Sequence, residues 1–187
     1  MDEKIGLLQL KIEALKAQKT PVLVALEGGS ASGKSTLGAE LAARTGATLI
    51  HMDDFFLPLE LRTAERFAQP GGNVHWERFL QEVLQPLAAG KVPEYGVFDC
   101  SVMAVNRTVR AEPGDVVIVE GAYSLHPALR DFYDWKVFLS VDEETQKERI
   151  LARNGEQMLR RFVNEWIPLE KAYFAACQVQ ECCDVIL

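Results

Sequence analysis

Val22-Leu-Val-Ala-Leu26, then Glu27, then Gly28-Gly-Ser-Ala-Ser-Gly33-Lys34-Ser35, is the stretch that decides the fold. An unbroken apolar run of this length marks a strand buried on both faces. The glycine-rich segment matches G-x-x-x-x-G-K-[ST], and residues 35–44 return to helical spacing through Leu37 and Leu41. A strand leading in and a helix leading out is the context in which this motif acquires a physical meaning. The glycines let backbone N–H groups curl around phosphate oxygens, and the helix start adds the positive end of its dipole. Lys34 carries a full charge to those oxygens, and the Ser35 hydroxyl can ligate Mg²⁺. The nucleotide-binding set read from the motif is Gly28, Gly29, Ser30, Ala31, Ser32, Gly33, Lys34, Ser35 and Thr36. Glu27 is awkward, because a carboxylate directly before the loop should repel phosphate unless it faces a cation or points away.

Outward from the loop, the pattern repeats. Ala47-Thr-Leu-Ile50, Val116-Val-Ile-Val119, Val137-Phe-Leu-Ser-Val141 and Asp184-Val-Ile-Leu187 read as further strands. Helical spacing predicts helices over 2–18, through Ile5, Leu8, Ile12 and Leu15, and over 75–89. Asp142 caps another that Asn154-Gly155 breaks, and a longer one covers 157–178 with a kink near Pro168. Residues 92–111 suggest an irregular hairpin. Strands alternating with helices mean a parallel sheet covered on both faces. The 187 residues, 48% hydrophobic, suit one domain spanning 1–187, with 1–18 as an appended helix. That helix packs across the domain or against a partner, a second copy of the chain (a homodimer) being one candidate.

Composition excludes several classes. A net charge of −7 argues against wrapping nucleic acid. No apolar run approaches the roughly 20 residues that span a bilayer. The opening Met1-Asp-Glu-Lys lacks a signal-peptide layout, so a cytoplasmic location is expected. Cys100, Cys177, Cys182 and Cys183 form no CxxC pair and read as buried or half-buried free thiols.

Two acids stand where chemistry would need them. His51-Met-Asp53-Asp54-Phe55-Phe56 comes directly off the second strand, and ligands bind at the carboxyl ends of parallel strands. Asp53 there can accept the proton of an attacking hydroxyl and align it on a γ-phosphate. Glu120, at the end of the Val116 strand, sits where a carboxylate holds Mg²⁺. No N-K-x-D guanine-reading motif occurs, which disfavours GTPase-type switching.

The ordered set Gly28-GSASGKS, Asp53-DFF, Phe98-Asp99, Val116-VIVEG and an arginine-bearing helix resembles the uridine kinase-like family of P-loop kinases, with nicotinamide riboside and pantothenate kinases as neighbours. The resemblance implies a three-layer α/β/α P-loop NTPase fold with a five-stranded parallel core sheet. It implies ATP-dependent phosphotransfer to an alcohol with Mg²⁺, held by Ser35 and Glu120, and a mobile lid at about 149–161. Catalytic roles fall on Asp53, Lys34 and the lid arginines Arg149 and Arg153, which lie four apart on one helix face. Arg160 and Arg161 follow close behind. Acceptor contacts fall on Asp53, Asp54, Phe55, His75, Phe98 and Asp99.

The sequence departs from the family at two points. Asn73-Val74-His75-Trp76-Glu77 stands where an Asp-His-Pro is expected, so His75 or Val74 stands at the position of a ribose-binding Asp. Met103 stands about where a base-contacting His would be. His51 and His126 read as structural. The expected acceptor is a small-molecule alcohol, a nucleoside or related riboside, with pantothenate or a sugar as alternatives. A nucleotide-binding regulatory module without transfer is the competing class.

Overall fold

The computed structural model describes residues 2–187, so Met1 lies outside the described residues. Helix α1 (Asp2–Lys16) precedes β1 (Val22–Gly28), α2 (Lys34–Thr45) and β2 (Thr48–His51). Residues 52–75 then run through short helical turns, among them α3 (Ala64–Phe67). Helices α4 (Trp76–Phe79) and α5 (Gln85–Ala88) are joined by a widened π turn, Leu80–Leu84. The hairpin β3 (Glu94–Asp99) and β4 (Ala104–Arg110) follows, and then β5 (Val116–Glu120) and β6 (Trp135–Leu139). Helix α6 (Glu143–Arg161), a second π turn at Phe162–Trp166, α7 (Ile167–Ala176) and β7 (Val185–Ile186) complete the chain.

The main sheet has the order β2-β5-β1-β6-β7 and every pairing in it is parallel. Helices cover both faces, giving the expected three-layer α/β/α architecture. All seven residues of β1 are buried, as its apolar run requires. Alternation sorts them: Val22, Val24 and Leu26 pack with Ile5, Leu8, Ile12 and Leu41. Leu23 and Ala25 pack on the opposite face with Phe79, Val83, Leu87 and Tyr173. Helix α1 therefore lies across its own domain, beside α2, which answers the first of the two options raised for it. Among the described residues no helix is long and apolar enough to cross a membrane.

Register gathers the site. Leu26 pairs with Glu120 and His51 pairs with Glu120, so the ends of β1, β5 and β2 lie side by side. The phosphate loop, the strand-end acid and the segment carrying Asp53 thus leave the sheet at one edge.

Three irregularities interrupt the helices for identifiable reasons, and those near Pro168 and at Gly155 fall where expected. Both π turns contain the residue four positions before a proline, Glu82 before Pro86 and Asn164 before Pro168. Proline lacks the N–H that would bond that carbonyl and its ring crowds it, so the turn widens instead of ending the helix. The expected break at Asn154-Gly155 is present within α6: Gly155 adopts the non-helical φ +78°, ψ 174° and separates two helical stretches.

Candidate active site

The loop closes tightly on the end of β6. Gly28 has φ +148°, and a Cβ there would stand 2.4 Å from the Leu139 carbonyl oxygen, so no side chain fits. Lys34 is nearly buried and donates from Nζ to the Gly29 carbonyl at 2.8 Å. The Ser32 hydroxyl is buried in the loop without a hydrogen-bond partner. An unsatisfied hydroxyl and a lysine at the start of α2 fit an anionic phosphate.

At the mouth of the loop, Ser35 Oγ donates to Glu120 Oε2 at 3.1 Å, and His51 Nδ1 lies 2.5 Å from Glu120 Oε1. A hydroxyl converging on a nearly buried carboxylate fits a hard divalent cation that draws its other ligands from phosphate and water. Glu120 holds the His51 imidazole above its ordinary value, chiefly through that hydrogen bond. His51, expected to be structural, thus orients the strand-end acid Glu120.

Asp53 opens into the cleft. The surrounding protein pushes its carboxyl up, the Glu120 charge adds to this, and Lys34 and His51 pull it back. Its side chain is exposed to solvent within the cleft, which tempers the shift. Glu27 points away from the phosphates. It is fully buried on the α7 side of the sheet and accepts from the N–H groups of Gly28, Tyr123 and Leu125 at 2.9, 3.1 and 3.0 Å. The Tyr173 hydroxyl donates to it at 3.1 Å. Burial nevertheless pushes Glu27 up to about 7, against the pull of those bonds and of Lys34.

One cleft of about 2030 Å³ runs past the loop. Its lining includes residues 30–36, Asp53, Glu120, Arg149 and Arg153. Arg149 donates to the carbonyls of Ala31 and Ser32 at 3.1 and 3.4 Å. Arg153 donates to Asn154 Oδ1 at 2.8 Å. Arg160 pairs with Glu156, and Arg161 pairs with Glu165 and lies over the Trp166 ring.

Of the expected acceptor contacts, Asp53 alone lines the cleft. Asp54 is half-buried and feels His51, Arg107 and Arg78. Phe55 is wholly buried, edge-on to Phe79, so it supports the Asp53 turn from within the core and cannot touch a substrate. His75 starts α4 and donates its N–H to the Phe55 carbonyl. Phe98 is buried beneath the Arg62 guanidinium, 5.7 Å from its ring centre. Asp99 is taken up by Ser101 and Asn106, which close the hairpin turn.

The cleft lining instead includes Phe56, Arg62, Asn73, Cys100, Met103 and Tyr123. Cys100 is exposed there, contrary to the buried or half-buried thiol expected, and all four cysteines are free. Tyr123 has φ +74° and a buried hydroxyl without a hydrogen-bond partner. Met103 is the one already singled out by the family resemblance; no spacing rule marks the others, which come from separate turns.

No protein-family model matches the chain. It is 30% identical over 148 residues to a uridine kinase of Clostridium botulinum, spanning 73% of this chain and 70% of that protein. The chain belongs to the uridine kinase-like family of P-loop kinases. Membership makes it an ATP-dependent phosphotransferase acting on a small-molecule alcohol. Among solved structures, one described as a possible uridine kinase from Bacillus stearothermophilus superposes with a TM-score of 0.77 at 21% identity, covering 100% of this chain and 98% of that one. A D-glycerate 3-kinase from Cryptococcus neoformans superposes at 0.64 with 18% identity, covering 91% and 87%. These two likenesses bear on the fold of this uridine kinase-like protein.

Proposed function

We propose that the protein transfers the γ-phosphoryl group of Mg·ATP to a hydroxyl of a nucleoside or related riboside, with Asp53 as general base. One observation carries the reading: Asp53 faces the cleft at the same sheet edge as Lys34 and Glu120. Asp53 takes the proton of the acceptor hydroxyl as its oxygen bonds to the γ-phosphorus and the bond to the β-phosphate oxygen breaks. Its raised affinity for a proton suits that task. Lys34 leaves the Gly29 carbonyl for the phosphate oxygens and balances their charge. Ser35 and Glu120 would hold Mg²⁺, which when bound neutralises charge on the phosphate chain. Arg153, at the cleft wall, would meet the transferring group, while Arg149 steadies the loop carbonyls.

A second acceptor class has its own support. Arg62 lines the cleft, and its hydrogen bond is from Nε to the Leu57 carbonyl, with no carboxylate paired to it among the described residues. A guanidinium there would receive an acidic alcohol such as pantothenate. The test of the general reading is Asp53→Asn, expected to keep ATP binding and to lower transfer by roughly 10²–10⁴-fold. Wild-type turnover in that variant would end the base assignment. A coupled ADP-release screen over nucleosides, ribosides, pantothenate and sugars separates the two acceptor classes.

A further inference from the structure

Ser30, at the crest of the phosphate loop, is held on all three of its polar groups by side chains from the last quarter of the chain. Its N–H donates to Glu170 Oε2 at 2.9 Å and its hydroxyl donates to Glu170 Oε1 at 2.5 Å. Its carbonyl accepts from Gln146 Nε2 at 2.8 Å. Glu170, on α7, and Gln146, on α6, are 4% and 6% exposed, so the contacts are shielded from water. The neighbouring glycine is shaped to admit them. A Cβ on Gly29 would stand 3.1 Å from Gln146 Nε2 and 3.3 Å from Glu170 Oε2.

A glycine-rich loop has many conformations to lose when phosphate binds, and an external brace removes that loss in advance. A carboxylate beside a phosphate site would otherwise weaken binding. Here both Glu170 oxygens are turned onto Ser30 donors, which absorb the charge. We propose that Glu170 and Gln146 are positioning residues for the phosphate loop, fixing its crest through Ser30 and so setting ATP affinity from helices α6 and α7.

The experiment is the dissociation constant of Mg·ATP by titration calorimetry, measured without acceptor, so that failure of the riboside reading leaves it untouched. Glu170→Ala and Gln146→Ala each weaken binding roughly tenfold, the loss of about one well-formed hydrogen bond or two. Glu170→Gln stays within about threefold, because an amide can still accept from the Ser30 N–H and donate to its hydroxyl. Ser30→Ala weakens binding in the wild type but adds less when Glu170 is already Ala. Unchanged or tighter binding in Glu170→Ala, or effects of Ser30→Ala and Glu170→Ala that simply multiply, overturns the proposal. A role in stability alone lowers the unfolding midpoint and the fraction of competent sites while leaving the constant unchanged, and that result also overturns it. Gln146→Ala reads the same constant without disturbing α7, so the proposal stays exposed even if Glu170→Ala does not fold.

Discussion

Glu27 should make the protein less stable as pH rises through neutrality. Its carboxyl is completely buried and lies at about 7 in the folded chain, against an ordinary 4.5. Between those values the native state keeps a proton that the unfolded chain has lost, so stability falls as pH climbs from 4.5 through 7 and levels off above. The gap of about 2.5 units at about 1.4 kcal/mol each amounts to about 3 kcal/mol, most of it between pH 5 and 8. The group is out of contact with water, so solvent screening does not reduce the figure. Other groups titrate over the same range, and Glu27→Gln provides the reference that shares them. Urea unfolding of both proteins at pH 5, 6, 7 and 8 gives the difference in unfolding free energy at each pH. That difference should drift by about 2–3 kcal/mol against the wild type as pH rises. A difference that stays flat would mean that the N–H groups of residues 28, 123 and 125 already hold the carboxylate ionised at pH 5.

Other perturbations follow from particular contacts. His51→Ala removes the partner of Glu120 and should raise the Mg²⁺ concentration for half-maximal activity by roughly tenfold, read from metal titrations at saturating ATP. Gly28→Ala forces a Cβ onto the Leu139 carbonyl and should abolish ATP binding in calorimetry, with normal binding refuting the close approach. Phe55→Ala should cost about 3–5 kcal/mol in urea unfolding, the range for emptying a buried aromatic site, because the ring is wholly enclosed under Asp53. Arg62→Ala should raise the KM of an acidic acceptor and leave that of a neutral riboside unchanged, which steady-state kinetics on the two classes decides.

Much of the architecture could be read from sequence because burial on both faces leaves an unmistakable trace. Val22–Leu26 and Val116–Val119 could only be interior strands, and the loop after the first could only turn toward a helix. Register leaves no such trace. Nothing in His51 or Glu120 alone says that they lie opposite each other, yet that pairing sets the imidazole against the carboxylate at the loop mouth. Glu27 shows the same limit. Alternation after Leu26 sends it to the other face, but all its donors except the adjacent Gly28 N–H come from residues 123–125 and 173, far along the chain. The acceptor side was least legible. Phe55 and Asp99 carry the right chemistry for a pocket, but one is needed to fill the core and the other to close a turn. Residues 52–75 fold as short turns without periodicity, so Arg62 and Asn73 reach the cleft through tertiary placement alone.

The strand order carries a consequence for how such a chain is made. β1 sits at the centre of the sheet, hydrogen-bonded to β5 and β6, which begin at residues 116 and 135. The flanking strands β5 and β6 leave the ribosome about ninety and about 110 residues after the motif. A nascent chain displaying only the first half of the protein would carry the whole phosphate loop and have no sheet to hold it. Such long-range pairing slows folding, so the earliest signature to be synthesised belongs to one of the last parts to become a site.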